Sequence, residues 1–454
     1  MLSSLLRKLP ALALILSFAA LHAADAPVKL ALVVKPDHET GVYAPGEKVT
    51  WSVDVDPKVD RATLTPLTWR VRKDVAGEAT TGTIDLAAGP ATITASRDDP
   101  GALLAEIYPS DNFNVIPLAM GGAVISPEKI GPSVPAPADF DAFWAAKLKE
   151  LDAVPINPVL EPVDVAGLKN SEGVECFKVT LDNIRGTHAK GLLAKPTQGD
   201  KFPAMLMVNA AGVGPLDKAA VVGQARPGWL ALNISAHDLP VDESPEFYKN
   251  LKEGALKNYF SLGNEDREQS YFLRMFLGCV RGAEYLAGRP DWDGKTLIVT
   301  GTSQGGLQSF ATAALYPKIS AMMVNVPAGC DNLAPLANPP RAFGWPYWLS
   351  KVGPPGRDLA KIQATAPYFD GLNFASRVKC PSLVDVGLID IASRPAGVLA
   401  AYNAIPGPKQ LIIMPTSDHY GSGGVQLIFF QTFFKWKDAL QKGNPLPLPV
   451  NAQK

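Results

Sequence analysis

Short hydrophobic runs alternate with polar residues in the early part of the chain, between about residues 27 and 126. The runs are rich in Val, Ile and Thr, and turn-forming residues separate them, as at Pro45-Gly46-Glu47. Strands are predicted at 29–34, 48–55, 68–73, 80–86, 91–96, 103–108 and 114–118. Short strands with turn signals between them predict an all-β sandwich of the immunoglobulin-like type over residues 27–126.

A proline-rich segment follows the predicted sandwich, with the sequence GPSVPAP at residues 131–137. Its composition favours an extended chain, so we predict a linker over residues 127–138. Aromatic and leucine residues then recur at helical spacing. They predict a helix from Phe140 to about Leu151, with Asp139 as its N-cap.

Predicted strands and helices alternate from residue 139 to residue 454. The first two strands, at 175–181 and 190–194, are expected to pair antiparallel. Buried strands are then predicted at 204–208, 229–234, 296–300, 321–326, 382–386 and 410–414, and helices at 269–286, 307–316 and after the last two strands. This alternation predicts an α/β domain, with a mostly parallel sheet covered by helices on both faces.

Composition and charge narrow the function classes. With 454 residues, 47% hydrophobic and 19% charged, the chain is long and apolar enough for two folded domains. The net charge is −1 and the Lys and Arg residues are scattered, which excludes the basic surface typical of nucleic-acid binders.

The first residues have the pattern of an export signal. Arg7 and Lys8 precede an apolar run at residues 9–21, and small residues follow at Ala23 and Ala24. This pattern predicts a signal peptide over residues 1–24 and an exported protein, periplasmic or secreted, with no membrane attachment after cleavage. The alternative is an N-terminal membrane anchor, but the run is short for a bilayer span.

Four cysteines remain after the predicted signal: Cys176, Cys279, Cys330 and Cys380. They allow three disulfide pairings, and the apolar surroundings of Cys279 and Cys330 are at least as compatible with buried free thiols. The chain has neither an HExxH motif nor a Cys/His cluster with zinc spacing. We therefore predict no metal and no cofactor.

The sequence GTSQGG at residues 301–306 is the strongest chemical signal in the chain. It follows a predicted strand and precedes a predicted helix, the setting in which GxSxG forms a nucleophile elbow. Ser303 is the expected nucleophile. Glycine on either side of it avoids a clash of Cβ atoms in the tight turn.

A serine nucleophile needs a base, and the base needs an orienting carboxylate. His419 is the one histidine after Ser303, and it follows the last predicted strand. Two carboxylates are candidates near the preceding strand. Asp390 follows that strand and is favoured for its position in a loop, whereas Asp385 lies inside it.

The oxyanion hole of such a site needs backbone N–H donors. The N–H of Gln304, directly after the nucleophile, is the first expected donor. The second should come from the loop after the strand at 204–208, where Ala211 and Gly212 are both candidates.

An aromatic segment, FGWPYW at residues 343–348, adds a candidate substrate contact. Trp345, Tyr347 and Trp348 could stack on sugar rings above the site. They could equally pack a lid onto the body of the domain.

These motifs resemble the acetyl xylan esterase and cephalosporin-C deacetylase family. The family has a GGSQGG elbow and a stretch close to GLID at 387–390, with AAYN at 400–403 downstream. The resemblance runs from DFDAFW at 139–144 to about residue 440, and includes VPINP at 154–158 and PYFDGLNFA at 367–375. It implies an α/β-hydrolase fold and a triad that removes acetyl groups from sugars and small acetylated compounds. Those roles fall on Ser303, Asp390 and His419.

Three motifs depart from the family pattern. The family's His-Gly-Tyr loop is NAAG at 209–212, its Arg-Gly-Gln stretch is SAHD at 235–238, and its Gly-His-Glu motif is replaced by SDHY at 417–420. Members often form closed hexamers. The added β domain leaves it open whether this chain forms a homo-oligomer.

The expected function is therefore a serine esterase that removes acetyl or other short acyl groups from acetylated carbohydrates or small compounds through an acyl-serine. One alternative is another hydrolase on the same fold, acting on uronoyl esters or peptides. A second alternative is an inactive carbohydrate-binding surface protein. The β domain itself could bind sugar or, as we favour, serve as a spacer or packing surface.

Overall fold

The computed structural model describes residues 32–77, 79–350 and 356–448, so the predicted signal peptide lies outside the described residues. The strands of the N-terminal module are β1 (Leu32–Pro36), β2 (Val42–Tyr43), β3 (Val49–Val55), β4 (Leu67–Lys73), β5 (Ala79–Ile84), β6 (Ala91–Ala95), β7 (Gly101–Tyr108) and β8 (Ala119–Ile125). They form two sheets, of order β1-β3-β6 and β2-β8-β7-β4-β5. Both sheets contribute to one buried cluster, which includes Trp51 and Ile107. The predicted β-rich domain is confirmed.

The last strand of this module lies later than predicted. Residues 114–118 form turns and loop, and β8 begins at Ala119. The prediction was wrong because β8 carries two adjacent glycines, which weaken a strand pattern. Glycine is needed there because the indole of Trp51 would lie 2.6 Å from a Cβ on Gly121, too close for any side chain.

The larger part of the described chain forms a mixed sheet with helices on both faces. Its strands are β9 (Val159–Pro162), β10 (Val174–Asp182), β11 (His188–Pro196), β12 (Phe202–Val208), β13 (Leu230–Ile234), β14 (Trp292–Thr302), β15 (Ala321–Asn325), β16 (Ser382–Gly387) and β17 (Lys409–Met414). Its α-helices are α1 (Phe140–Asp152), α2 (Lys218–Ala225), α3 (Pro245–Glu253), α4 (Tyr271–Gly288), α5 (Gln304–Leu315), α6 (Leu359–Thr365), α7 (Gly371–Ala375), α8 (Pro395–Ala404) and α9 (Leu427–Lys442). Short 3₁₀ turns lie at Arg61–Thr63, Pro127–Lys129, Ile184–Gly186, Tyr259–Ser261, Ala334–Leu336, Ala366–Phe369 and Ser422–Gly424.

The order of strands in this sheet is β17-β16-β15-β14-β12-β13-β11-β10-β9. The six adjacent strands β17, β16, β15, β14, β12 and β13 pair parallel. Strands β10 and β11 pair antiparallel, as the sequence pattern predicted, and β9 adds an antiparallel edge strand that was not predicted. The carboxyl ends of parallel strands share one edge of a sheet. The loops after β14, β16 and β17 therefore come together.

Helix α1 begins at Phe140, as predicted, but Asp139 does not cap it with its side chain. The carboxylate of Asp139 instead accepts hydrogen bonds from the hydroxyl of Tyr368 and, at 2.7 Å, from Arg267. The stronger charged partner takes the carboxylate away from the helix N-terminus. Asp139 thus ties α1 to two distant segments of the domain.

The N-terminal module packs directly on the loop after β16. Val124 of β8 belongs to the same buried cluster as the core of the α/β domain. A Cβ on Gly122 would lie 2.5 Å from the Cβ of Leu388, and the backbone N–H of Ala342 donates to the carbonyl of Asp74 at 3.0 Å. The module is in van der Waals contact with the main domain and is not held apart from it.

Candidate active site

A sharp turn between β14 and α5 presents Ser303. Its backbone has φ 59° and ψ −120°, in a region that L-residues rarely adopt. A Cβ on Gly301 would lie 2.5 Å from the backbone of Gly305, and a Cβ on Gly305 would lie 2.4 Å from the carbonyl oxygen of Val208. Glycine at both positions permits the turn, which places Ser303 at the N-terminus of α5.

The structure brings Ser303, His419 and Asp390 together from three separate loops. Nε2 of His419 lies 2.8 Å from Oγ of Ser303, and Nδ1 of His419 lies 2.7 Å from Oδ2 of Asp390. A carboxylate only accepts hydrogen bonds, so Nδ1 carries the imidazole proton. Nε2 then directs its lone pair at the hydroxyl of Ser303, the arrangement of a general base beside a nucleophile.

The carboxylate of Asp390 is fixed in place. Its side chain is fully buried, and its Oδ1 accepts hydrogen bonds from the backbone N–H groups of Ala392 and Ser393, both at 2.8 Å. Oδ2 is left for His419. Both oxygens therefore have hydrogen-bond partners, which fix the orientation of the carboxylate.

Asp385, the other carboxylate considered from the sequence, is not part of this arrangement. It lies within β16, and its Oδ1 accepts a hydrogen bond from the backbone N–H of Val326 at 2.5 Å. Burial raises the pKa of Asp385 well above its usual value, and the nearby charge of Asp390 raises it further. Burial thus favours the neutral form of Asp385.

The loop that carries His419 is held by Gln426. The side-chain amide of Gln426 donates to the carbonyl oxygens of Asp418 and His419 at 3.2 and 3.4 Å, and accepts from Asn325 at 3.1 Å. The Asp418 side chain accepts from the backbone N–H groups of Tyr420 and Ser422 at 3.1 and 3.0 Å. Asp418 therefore shapes the loop and does not approach the imidazole edge that Asp390 occupies.

The three residues predicted for the oxyanion hole have different surroundings. The backbone N–H of Gln304 is at the start of α5, beside Ser303. The prediction for Gly212 was wrong. Its N–H already donates a hydrogen bond to the hydroxyl of Tyr259 at 3.3 Å, so it does not face an oxyanion. The N–H of Ala211 makes no hydrogen bond to any other residue in the described ranges, and it stays the better candidate for the second donor.

The aromatic segment at 343–348 behaves mainly as a packed lid. Trp348 is 2% exposed, its indole N–H donates to the carbonyl of Phe260 at 2.6 Å, and its ring packs on Phe272. Trp345 also packs on Phe260 and Phe272. Of the two alternatives for this segment, packing is the one that these contacts favour: the ring of Trp348 is buried, and the half-buried ring of Trp345 lies against the same aromatic residues.

Tyr347, the third residue of that prediction, stays at the surface with 41% of its area exposed. Two further exposed side chains lie beside the triad and were not singled out from the sequence. Tyr420 is 88% exposed with its ring centroid 5.6 Å from that of His419, and Ile391, next to Asp390, is 51% exposed. We call Tyr347, Ile391 and Tyr420 the rim.

Sequence reasoning also missed a buried hydrogen-bond network behind the oxyanion loop. It consists of His237, Tyr259 and Tyr271, which surround Gly212. His237 lies in the stretch already noted as a departure from the family pattern, and this was the available signal. Tyr259 stands in an irregular segment without a motif, so nothing in the sequence marked it.

The cysteines are free thiols in this structure. Cys176, Cys279 and Cys330 are buried and Cys380 is half-buried. Burial raises the pKa of Cys279 and of Cys380 to about 12, which leaves these thiols protonated and weakly nucleophilic at neutral pH.

Within residues 32–77, 79–350 and 356–448, His, Cys, Asp and Glu side chains do not gather in a group that could hold a metal ion. Among the same residues, all helices are too short or too polar to cross a membrane.

Comparison with known proteins identifies the family. The model of the acetyl xylan esterase (AXE1) family matches residues 128–439. The chain is 32% identical over 300 residues to acetyl esterase Axe7A of Xylanibacter ruminicola, an alignment that covers 65% of this chain and 66% of that protein. The chain thus spans slightly less than two thirds of the length of this relative.

Two solved structures share the fold. The acetyl xylan esterase from Paenibacillus sp. R4 superposes with a TM-score of 0.57 and 24% identity, covering 67% of this chain and 96% of that one. Acetyl xylan esterase 1 from Thermoanaerobacterium sp. JW/SL YS485 gives 0.55 and 22%, with the same coverage. The predicted α/β-hydrolase fold and the resemblance noted from the motifs are both confirmed. The chain belongs to the acetyl xylan esterase family, a family of carboxylic ester hydrolases.

Proposed function

We propose that this protein is a serine esterase that removes acetyl groups from acetylated carbohydrates through an acyl-Ser303 intermediate. The observation that carries the proposal is the hydrogen-bonded chain from Ser303 through His419 to Asp390, with contacts of 2.8 and 2.7 Å. Membership in the acetyl xylan esterase family supports the choice of an acetyl ester as substrate.

In the first half-reaction, Oγ of Ser303 attacks the acyl carbonyl carbon while its proton moves to Nε2 of His419. The carbonyl oxygen becomes negative, and the N–H groups of Gln304 and Ala211 are the donors assigned to it. The bond to the alcohol oxygen then breaks, and the imidazolium gives its proton to the departing alcohol. Asp390 holds Nδ1–H throughout and stabilises the imidazolium.

In the second half-reaction, a water molecule attacks the acyl-serine and gives its proton to His419. The bond between the acyl carbon and Oγ of Ser303 breaks, and Oγ takes that proton back. The free carboxylic acid leaves, and the site returns to its starting state. Neither step requires a metal or an organic cofactor.

The rim supports a substrate with a ring-shaped alcohol part. His419 must reach the oxygen of the departing alcohol, so the alcohol lies on the side of the imidazole. Tyr420, directly after His419, presents an exposed ring there. Aromatic side chains with one free face commonly stack on the apolar faces of rings.

Export is part of the proposal. Its support is the pattern of residues 1–24, which has a charged start, an apolar run and small residues before the mature chain. Expression of the full chain should yield a mature protein that lacks these residues. N-terminal sequencing of the exported protein tests this, and an uncleaved membrane-bound chain would contradict it.

A substrate panel tests the activity. The purified mature protein should hydrolyse p-nitrophenyl acetate faster than the butyrate and octanoate esters, and it should release acetate from acetylated xylan. A fluorophosphonate probe should label the wild-type protein at Ser303. Faster cleavage of a methyl glucuronate ester or of peptides would replace the proposed substrate class, and an unlabelled, inactive protein would favour a binding role.

A further inference from the structure

Gly212, in the loop that follows β12, is held from both sides by side chains. Nε2 of His237 lies 2.8 Å from the carbonyl oxygen of Gly212, and the N–H of Gly212 lies 3.3 Å from the hydroxyl of Tyr259. Gly212 has φ 147°, a conformation that glycine adopts freely. The peptide groups on both sides of Gly212 are therefore held in place, and the N–H of Ala211 lies one peptide earlier in the same loop.

The hydroxyl of Tyr259 also contacts the other side of the oxyanion hole. It donates to Oε1 of Gln304 at 2.5 Å, and the amide of Gln304 donates onward to Gln308 at 3.1 Å. Gln304 is fully buried and Tyr259 is 5% exposed. One hydroxyl group thus joins the residue that follows the nucleophile to the loop after β12.

The protonation of His237 follows from its partners. A carbonyl oxygen can only accept, so Nε2 carries the proton that binds Gly212. Nδ1, which lies 2.6 Å from the hydroxyl of Tyr271, then accepts from it. Burial lowers the pKa of His237 to about 4, with a smaller contribution from the charge of Arg274, so the neutral form persists at neutral pH.

The surroundings of this histidine are otherwise aromatic. The rings of Tyr259 and Tyr271 lie against it with centroids 4.6 and 5.8 Å away. The guanidinium of Arg274 lies over the ring of Tyr271 at 4.0 Å, and Asp238 is the neighbouring acid in the chain. A protonated His237 would be poorly solvated here and would lose its hydrogen bond from Tyr271.

We propose that Tyr259 and His237 are positioning residues that set the separation of the two oxyanion donors, the N–H groups of Gln304 and Ala211. Tyr259 fixes this distance by bonding to both sides, and His237 fixes the angle of the loop through the carbonyl of Gly212. The inference rests on the proposed esterase function and assigns residues that do not themselves touch the substrate.

Tyr259→Phe tests the inference because it removes the bridging hydroxyl and keeps the ring. Donors to an oxyanion act mainly in the transition state, and a shift of about 1 Å in such a group costs up to about 10²-fold in rate. For p-nitrophenyl acetate we expect kcat to fall about 10- to 100-fold, with KM changed less than about threefold.

Tyr248→Phe is the matched control. Tyr248 is 3% exposed and donates from its hydroxyl to the carbonyl of Pro240 at 2.6 Å, outside the network around Gly212. This variant also loses a buried tyrosine hydroxyl, so it should lose stability to a similar extent but keep its kcat. Thermal melting of both variants separates a loss of folding from a loss of alignment.

Two histidine variants provide a second test that does not depend on Tyr259. His237→Gln can still donate to the carbonyl of Gly212, so it should retain much more kcat than His237→Phe, which fills the space without a donor. Equal kcat in these two folded variants would overturn the role of His237. A Tyr259→Phe protein that is as active as Tyr248→Phe would overturn the role of Tyr259.

The wild-type protein separates this inference from the proposed function. If it hydrolyses acetyl esters and reacts with the fluorophosphonate, the variants decide on the positioning residues alone. If it does neither, the proposed function fails and the inference fails with it.

Discussion

Asp385 and Asp390 lie close in the chain, but their carboxyl groups face different partners. Asp390 contacts Nδ1 of His419 at 2.7 Å, whereas Asp385 accepts from the backbone N–H of Val326 at 2.5 Å. The second oxygen of Asp385 is buried without a hydrogen-bond partner among the described residues. One of these acids is thus placed to orient the imidazole, and the other is a buried structural group.

Asp390→Asn should lower kcat by about 10⁴-fold, because an amide cannot hold the tautomer that His419 needs. Asp385→Asn should keep kcat within about threefold, since its oxygen can still accept from Val326. Steady-state kinetics at equal concentrations of folded protein measure the difference. If Asp385→Asn abolishes turnover while Asp390→Asn is close to wild type, the two assignments are reversed.

The stability of Asp385→Asn should depend less on pH than that of the wild type. Burial raises the folded-state pKa of Asp385 above its usual value of 3.8, so the folded protein retains a proton that the unfolded chain has lost. The contribution of Asp385 to the free energy of unfolding of the wild type therefore falls as pH rises above about 4, by about 1.4 kcal/mol per pH unit until the folded-state pKa is reached.

Asparagine at position 385 does not ionise, so the variant should gain stability relative to the wild type between pH 4 and pH 8. Chemical or thermal unfolding at both pH values, with Asp385→Asn and wild type side by side, measures this. A difference in stability that is the same at pH 4 and pH 8 would show that Asp385 is not a buried neutral acid.

Ser303→Ala should lower kcat for p-nitrophenyl acetate by about 10⁴- to 10⁶-fold and abolish labelling by the fluorophosphonate. The side chain of Ser303 makes its one side-chain hydrogen bond among the described residues with His419, so the variant should melt close to the wild type. Retention of most activity in a homogeneous preparation would remove Ser303 from the mechanism.

Gly122→Ala, a change in the N-terminal module, should disturb the active site through the loop that carries Asp390. The new Cβ would lie 2.5 Å from the Cβ of Leu388 and 2.6 Å from its carbonyl oxygen, close to the loop that carries Asp390. Overpacking of this kind costs about 1–3 kcal/mol, and we expect a lower melting temperature together with a lower kcat.

Gly131→Ala is the control for this variant, because a Cβ on Gly131 meets nothing within 4 Å. It should match the wild type in stability and in rate. If Gly122→Ala also matches the wild type in stability and in rate, the contact between the module and the loop adjusts to the extra Cβ without affecting catalysis.

Tyr420→Ala should weaken binding of esters whose alcohol part is a ring. An aromatic contact contributes about 0.5–1.5 kcal/mol, which corresponds to about a 2- to 10-fold rise in KM. Ethyl acetate, which has no ring to stack, should be affected much less, and Tyr420→Phe should behave as the wild type. Equal changes in KM for ring and ethyl esters would exclude a stacking role for Tyr420.

Local sequence patterns predicted the framework of the site well. The turn at Ser303 depends on glycines whose spacing is visible in the chain, and the mostly parallel sheet follows from alternating apolar runs. The strand β8 was misplaced because its glycines are required by contacts with Trp51 and Leu388, which are far away in the sequence. Local propensity carries no information on such contacts.

The buried environment of individual side chains was the least predictable feature. Trp345 and Trp348 have the composition of a binding surface, but their rings fill space beside Phe272. Tyr259 and His237 contact Gly212, and only the folded arrangement of β13, α4 and the intervening segment brings them to it. Tertiary packing decides which polar and aromatic residues face solvent.

The close approach of Gly122 to Leu388 has a consequence for engineering. The family match begins at residue 128, and a truncated enzyme cut there would lose β8 and expose the apolar surface around Leu388, which is now 2% exposed. Such a fragment would expose an apolar, aggregation-prone surface beside the loop that carries Asp390. Truncated or fused variants should therefore keep the strands from β1 to β8 together with the main domain.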